Sequence, residues 1–158
     1  MKLSALKGMP VVSLGDGTKV GAVRDVLVDT AALRVVALVL EGSSGASRLP
    51  FAAVRRIGAD AVMVERVELT QGATGQATTE QLRSLEELGG LKVVDGAGTY
   101  LGDVQDVDFG EQDGRVRELV AQRGGILGMG ATEARIPVAA IRGIGPQLVT
   151  VDLASAAG

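Results

Sequence analysis

The 158-residue chain contains no cysteine and no histidine. Without cysteine it has no disulfide, no thiolate metal site and no cysteine nucleophile. Without histidine it lacks the commonest general base and the commonest metal ligand, which excludes a serine–histidine–aspartate triad and the usual zinc and haem sites. We therefore expect a protein that is not an enzyme and that needs no cofactor. An enzyme that uses only carboxylates and lysine remains an alternative, but the sequence predicts no paired-carboxylate cleft.

Aromatic residues are also scarce, at 2% of the chain: Phe51, Tyr100 and Phe109. A hydrophobic content of 46% must then come almost entirely from Val, Leu, Ile, Ala and Met. The β-branched members of that set favour strands. The 23 glycines and 4 prolines favour many turns over long helices. Together these features predict an all-β protein.

Neither a strong positive charge nor a long apolar run is present. The formal net charge is −3, whereas nucleic-acid binders usually carry a basic face and stacking aromatics. We therefore expect no direct nucleic-acid binding. No apolar run approaches the ~18 residues of a spanning helix, and residues 1–8 are too few and too polar for a signal peptide. These observations predict a cytoplasmic protein with no membrane span.

The chain contains an internal repeat. Residues 18–26 (TKVGAVRDV) return as residues 99–107 (TYLGDVQDV), with Thr, Gly, Val, Asp and Val in register at an offset of 81. A Gly-x-Gly sequence precedes both copies, and its glycines supply the positive φ that a tight hairpin turn needs. Gly15-x-Gly17 also resembles a phosphate-binding loop. Its spacing is not the dinucleotide one and a strand follows it, so the hairpin interpretation is favoured.

A second pair of matching segments follows at a larger offset. Residues 49–55 (LPFAAVR) match residues 136–142 (IPVAAIR) at an offset of 87, so the second copy has six extra residues in its middle loop. Each segment predicts a short extended stretch followed by one helical turn. Between the copies, the capping-box spacing of Thr78 and Gln81 predicts a short helix from about Thr79 to Glu87.

These patterns predict two tandem small β-barrels joined by a linker and a short helix. The expected boundaries are residues 1–71 for the first domain, 72–83 for the linker and short helix, and 84–158 for the second domain. Each unit is shorter than ~80 residues, a size at which one core is only marginally stabilising. We therefore expect the units to pack on each other, on a second copy of the chain as a homo-oligomer, or both.

The quoted residues resemble a known family, the PRC-barrel domain. The resemblance lies in residues 94–107 (VDGAGTYLGDVQDV), 125–130 (GILGMG) and 136–138 (IPV), and in residues 20–29 (VGAVRDVLVD) of the first copy. The first copy lacks the GILGMG loop. The domain is shared by the cytoplasmic part of the photosynthetic reaction-centre H subunit and the C-terminal part of a ribosome-maturation factor. The resemblance implies two tandem PRC-type barrels, a bacterial source and a protein-interaction role.

Three acidic residues form a candidate metal site. Asp103, Asp106 and Asp108 lie close together on one predicted strand, and Asp106 and Asp108 would share a face. Carboxylate oxygens at this spacing could hold Mg²⁺ or Ca²⁺. A solvated outer face, with charges that discourage edge pairing, is the favoured interpretation, and we predict no metal site.

Candidate partner-binding residues come from the glycine-rich insertion and from the proline-centred segments. Ile126, Leu127 and Met129 lie among glycines, and either form a partner-binding patch or, as the narrowly favoured alternative, cap a barrel or fill the seam between units. Arg142, like Arg55-Arg56, follows a proline-centred segment. These arginines contact an anion or a partner, or, as the favoured alternative, lie on a solvated surface.

The sequence thus predicts a non-enzymatic cytoplasmic interaction or scaffold module with an unidentified protein partner and self-association. An accessory role in ribosome or RNA maturation, acting through a protein partner, is the alternative implied by the resemblance. A proton- or electron-transfer accessory like the reaction-centre subunit is a weaker alternative, because the chain has no histidine and few aromatics.

Overall fold

A computed structural model describes residues 1–42, 45–65, 70–71, 81–124 and 132–153. Below, residues 1–71 are called the first half and residues 81–153 the second half. The described residues are predominantly β-structure, which confirms the all-β prediction. The first sheet contains β1 (Pro10–Ser13), β2 (Lys19–Asp29), β3 (Arg34–Gly42), β4 (Gly45–Pro50), β5 (Val54–Ile57), β6 (Val62–Val64), β7 (Thr70–Gln71) and β8 (Leu82–Ser84). The second sheet contains β9 (Lys92–Asp95), β10 (Tyr100–Phe109), β11 (Val116–Arg123), β12 (Thr132–Pro137), β13 (Ile141–Ile144) and β14 (Leu148–Val151).

Both sheets are open in the part of the chain that the structure describes. The first has the strand order β5-β6-β1-β2-β3-β4-β7, with β8 also paired to β2, and the second has the order β12-β11-β10-β9-β14-β13. The pairs β1–β6 and β9–β14 are parallel and the other pairs are antiparallel. Neither sheet closes on itself through these strands, so the closed-barrel part of the prediction is not confirmed. Strands β5 and β13 lie at equivalent edges of the two sheets.

The repeated Gly-x-Gly sequences form hairpin turns, as predicted. Gly17 and Gly98 have φ values of +72° and +85°. Before each of them an aspartate accepts backbone hydrogen bonds: Asp16 from Thr18, and Asp95 from Ala97 and Thr99. These turns join β1 to β2 and β9 to β10, both antiparallel, as the hairpin interpretation predicts.

The two proline-centred segments also fold as predicted and alike. Strand β4 ends at Pro50, a 3-10 turn spans Phe51–Ala53, and β5 follows. Strand β12 ends at Pro137, a 3-10 turn spans Val138–Ala140, and β13 follows. Each 3-10 turn is therefore followed directly by the edge strand of its sheet, β5 or β13.

The predicted helix is shorter and begins later than expected. Helix α1 covers Leu85–Leu88, and its capping box joins Ser84 to Glu87 through two 3.1 Å hydrogen bonds. Residues 82–84 form β8, because their backbone pairs with β2. The prediction of a helix over Thr79 to Glu87 is therefore wrong for these three residues, while Thr78 and Thr79 lie outside the described residues.

One hydrophobic core runs through both halves. A 3-10 turn at the start of the first half, Leu3–Leu6, packs against β10 of the second half, and its Leu3 and Leu6 are fully buried. Conversely, β8 and α1 of the second half pack against β2 of the first. The rings of Phe51 and Phe109 meet edge to face, with centroids 6.3 Å apart. The prediction that the two units pack on each other is confirmed.

Membrane crossing by a helix finds no support in the described residues. None of their helices is both long enough and apolar enough to span a bilayer.

Candidate functional site

The seam between the halves is held by two buried carboxylates at repeat-equivalent positions. Asp25 on β2 accepts hydrogen bonds from the backbone N–H groups of Val26 (2.8 Å) and Leu85 (3.1 Å). Asp106 on β10 accepts them from Val107 (2.8 Å) and Ser4 (3.1 Å), and also from the Ser4 hydroxyl. Each half therefore anchors the entry segment of the other. The entry segments are Leu3–Leu6 in the first half and Leu85–Leu88 in the second half. These carboxylates are 9% and 7% exposed, and burial this deep requires such hydrogen bonds.

A second reciprocal contact lies where the two β-turns meet. The N–H of Val35 donates to the carbonyl of Gly114 (2.7 Å), and the N–H of Val116 donates to the carbonyl of Leu33 (2.9 Å). Residues 35 and 116, and residues 33 and 114, are each 81 apart. The two halves are thus related by an approximate two-fold axis near the bridge between Arg34 and Arg115.

Among the described residues, a cleft opens along this seam, beside β13. We call it the arginine cleft: its volume is about 730 Å³, and it is lined by Thr30, Ala31, Leu33, Gln81, Leu82, Arg83, Ile141, Arg142, Gly143, Ile144 and Pro146. The turn after β2 forms one wall and β13 forms the opposite wall. Its two arginines are the only charged lining residues, and neither makes an ion pair with another described residue. The cleft is therefore cationic and has apolar walls.

The approximate two-fold relates this cleft to a second one beside β5. We call it the paired cleft: its volume is about 540 Å³, and it is lined by Val54, Arg55, Arg56, Ile57, Glu111 and Gln112. Here Glu111 contributes a negative charge to the lining. Arg55 also lies 3.7 Å from Glu65 across an exposed ion pair. The two clefts share geometry but differ in charge.

The other strand carboxylates of the second half have partners within the protein. Asp108 accepts a 2.6 Å hydrogen bond from the N-terminal ammonium of Met1, which lowers the pKa of Asp108. Asp103 accepts a 2.7 Å hydrogen bond from the hydroxyl of Tyr100, which raises the pKa of Tyr100. Lys92 and Arg123 lie 5.7 and 5.6 Å from the Tyr100 ring centroid.

These contacts correct the interpretation of the acidic cluster as a solvated outer face. Asp106 is instead buried in the seam, where the backbone N–H and the hydroxyl of Ser4 donate hydrogen bonds to it. No group of three or more carboxylates is placed to hold a metal ion among the residues that the structure describes.

The predicted partner-binding residues are only partly placed. Arg142 is exposed and lies in the arginine cleft with Arg83. Ile126, Leu127 and Met129 lie outside the described residues. Their roles, and that of Arg142, stay predictions.

Sequence reasoning missed the two seam carboxylates. It also missed Arg83, which lines the same cleft as Arg142. The seam carboxylates could have been found from the repeat, because an aspartate surrounded by valines recurs at positions 25 and 106. Arg83 carried no comparable signal, since only folding brings it into the same cleft as Arg142.

Comparisons with known proteins agree with the internal repeat. A family model described as the PRC-barrel domain matches residues 1–71 and again residues 80–155. An uncharacterised protein of Clostridium acetobutylicum is 27% identical over 70 residues, which cover 39% of this chain and 80% of that relative. The match thus spans most of the relative but less than half of this chain. With two matches that together cover most of its length, the chain belongs to the PRC-barrel domain family and carries two tandem copies of the domain.

Proposed function

We propose that this protein is a non-enzymatic interaction or scaffold module, which acts by holding a protein partner at the seam between its two PRC-barrel domains. The observation that carries the proposal is the arginine cleft, where the edge strand β13, apolar walls and two arginines meet, and where within the described part of the chain neither that edge has a strand partner nor those arginines an ion pair. A cleft of this size lies within the range of ~300–1,000 Å³ that is common for binding sites in proteins.

The rigidity of the seam supports a binding role. The wall formed by the turn after β2 lies beside the reciprocal hydrogen bonds of Val35 and Val116, and the other wall, β13, is held by its pairing with β14. A preformed site loses less conformational entropy on binding than one that must order itself. The buried carboxylates that could serve an acid–base reaction are instead occupied with backbone N–H groups of the opposite half.

The GILGMG insertion is a second candidate contact within the same function. Its three large apolar residues, Ile126, Leu127 and Met129, provide the kind of adaptable apolar surface that partners use. An accessory role in ribosome maturation or in electron or proton transfer gains no specific support from the described contacts, and both roles remain alternatives.

The test is a tagged pull-down from the native host's lysate, followed by mass spectrometry. Wild type is compared with Arg142→Glu, with the triple Ile126/Leu127/Met129→Ser variant, and with Arg55→Glu as a control at the position equivalent to Arg142. We expect wild type and Arg55→Glu to retain a stoichiometric partner that at least one of the other two variants loses while still folded. If no protein is enriched with any of the four, the interaction role is wrong.

A further inference from the structure

We propose that the arginine cleft binds an extended acidic peptide segment of a partner protein, which adds as a strand to the edge of β13. This inference rests on the proposed function and narrows it to one site and one class of ligand. It depends on three properties of the cleft: the edge of β13 that pairs with no described strand, the glycine in the middle of that strand, and the positive charge of the lining.

The first property is the sheet edge itself. Strand β13 pairs with β14 on one side and with no described strand on the other. A strand edge of this kind presents backbone N–H and C=O groups to an incoming chain, and strand addition is a recurrent mode of peptide recognition. The four residues of β13 span about 13 Å, which matches a peptide segment of about four to six residues.

The second property is room for another backbone. Gly143 lies in the middle of β13, and a Cβ atom built there would meet only the Thr150 hydroxyl oxygen, at 3.4 Å. A glycine inside a strand often marks a close backbone approach. The equivalent position on β5 is Arg56, at an offset of 87, so its long side chain stands where Gly143 leaves space.

The third property is charge. Arg83 lies partly buried on one wall and Arg142 lies exposed on the other, and no carboxylate lines the cleft between them. Although the whole chain carries a net charge of −3, the two arginines make the field inside the cleft positive, which favours an acidic ligand over a neutral or basic one. In the paired cleft, Glu111 and the Arg55–Glu65 ion pair remove that preference.

The apolar part of the lining favours a peptide over a small anion. Leu33, Leu82, Ile141 and Ile144 line the same space as the arginines. Side chains of an added strand alternate between two faces. One face of an acidic, alternating peptide can therefore pair with the arginines while the other packs on the apolar wall.

The experiment uses the full chain and a fluorescein-labelled heptapeptide in which glutamate and valine alternate. Fluorescence polarisation measures its dissociation constant beside that of a lysine–valine heptapeptide of the same length. We expect saturable binding of the acidic probe and at least about tenfold weaker binding of the basic one, a ratio that corresponds to about 1.4 kcal/mol. Binding of the acidic probe should weaken as salt rises, because exposed charges are screened.

Matched variants locate the site. Arg142→Glu should weaken binding of the acidic probe about tenfold or more, whereas Arg55→Glu, its equivalent in the paired cleft, should change it less than about twofold. Gly143→Arg, which copies the paired cleft, should also weaken binding. Thermal unfolding of each variant confirms that it is folded. Equal losses in Arg142→Glu and Arg55→Glu would mean a general charge effect and would overturn the assignment.

Two further measurements separate a strand from a bare anion. A heptapeptide N-methylated at every peptide nitrogen donates no backbone hydrogen bond to β13, so it should bind at least about tenfold more weakly. Equal binding by this peptide, or displacement of the probe by inorganic phosphate at a concentration similar to that of the peptide, would overturn strand addition. Amide shifts on titration should be centred on residues 141–144.

Failure of this proposal is distinguishable from failure of the proposed function. If the acidic heptapeptide does not bind at about 1 mM, the limit of weak specific association, the peptide assignment is wrong. A partner retained in the pull-down by Arg142→Glu but lost by the Ile126/Leu127/Met129→Ser variant would leave the interaction role intact and move it to the glycine-rich insertion.

Discussion

At the scale of single residues, the most consequential side chains are the two aspartates that the repeat places at the seam. A carboxylate at a solvated strand position would contribute little to stability. Asp25 and Asp106 are instead buried, and each accepts a hydrogen bond from a backbone N–H group of the opposite half, Leu85 and Ser4 respectively. Their importance lies in linking segments that are far apart in the chain.

Replacement of Asp106 by alanine should destabilise the whole protein. The change leaves the backbone N–H groups of Ser4 and Val107 without their acceptor, which costs about 1–3 kcal/mol for a buried donor. Chemical denaturation measures the free energy of unfolding. Asp25→Ala should give a loss of similar size, since Asp25 holds Val26 and Leu85 in the same way.

Asp106→Asn is the matched control, because its amide oxygen can still accept these hydrogen bonds. We expect it to lose less than half as much stability as Asp106→Ala. A free energy of unfolding within about 0.5 kcal/mol of wild type for Asp106→Ala, the level of an ordinary surface substitution, would contradict the role of this carboxylate.

The single tyrosine provides a second test at residue scale. The hydroxyl of Tyr100 donates to Asp103, and ionisation of the phenol would lose that bond and place two negative charges together. The pKa of Tyr100 is therefore raised above its ordinary value of 10.0. The chain has one tyrosine and no tryptophan, so absorbance near 295 nm follows this titration directly.

Asp103→Asn should bring the titration of Tyr100 back toward its ordinary value. Because the pKa of the phenol is raised in the folded state, the hydrogen bond stabilises the fold below the unfolded-state pKa, and the stabilisation is lost as pH rises through the folded-state value. Glu118→Gln, at a carboxylate paired with Arg135, is the control and should leave the tyrosine titration unchanged. Identical titrations of wild type and Asp103→Asn would rule out the contact.

At the scale of elements, the turn between β10 and β11 is constrained by the opposite half. Gly114 has φ +73°, and a Cβ atom there would lie 2.9 Å from the Phe51 ring. Gly114→Ala should therefore destabilise the protein by about 1–3 kcal/mol, through backbone strain and through displacement of the ring.

Gly96→Ala is the control, since a Cβ atom at Gly96 meets nothing within 4 Å and the residue does not need positive φ. It should leave stability unchanged or raise it slightly, by about 0.4–1 kcal/mol, because alanine restricts the unfolded chain. Thermal denaturation of both variants makes the comparison. A Gly114→Ala protein as stable as Gly96→Ala would show that the Phe51 contact does not constrain the turn.

The elements also show what the sequence could predict. Hairpins and proline-centred turns were predictable because Asp-Gly and Leu-Pro or Ile-Pro signals act through a few neighbouring residues. The helix was placed too early because residues 82–84 find a strand partner in β2, a contact between residues more than 50 positions apart. Burial of Asp106 was missed for a similar reason: the residue that donates hydrogen bonds to it from the opposite half, Ser4, is 102 positions away in the chain.

At the scale of the whole molecule, the reciprocal contacts predict a single cooperative unfolding transition. If the chain is produced as two fragments divided at residue 78, each fragment loses the partner of its entry segment. Neither fragment alone should show a cooperative thermal transition, and a mixture of the two should regain one, because the core is shared by both halves.

Circular dichroism of each fragment and of the equimolar mixture tests this expectation. A variant mixture in which the second fragment carries Asp106→Ala should recover less of the transition than the wild-type mixture. Two fragments that each unfold cooperatively, with no change on mixing, would mean that the halves are independent domains.

The exchange of entry segments also has a consequence for the order of events during synthesis. The first half is complete in sequence at residue 71, but Leu3–Leu6 packs against β10, and β2 pairs with β8. The apolar segment Leu3–Leu6 therefore lacks its partner strand until β10 has been made, 38 residues after residue 71, which takes roughly 2–8 s at ordinary rates of synthesis. During that interval the same surfaces on two neighbouring nascent chains are available to each other, so slower translation through residues 72–109 should raise the fraction of exchanged dimer, which size-exclusion chromatography measures.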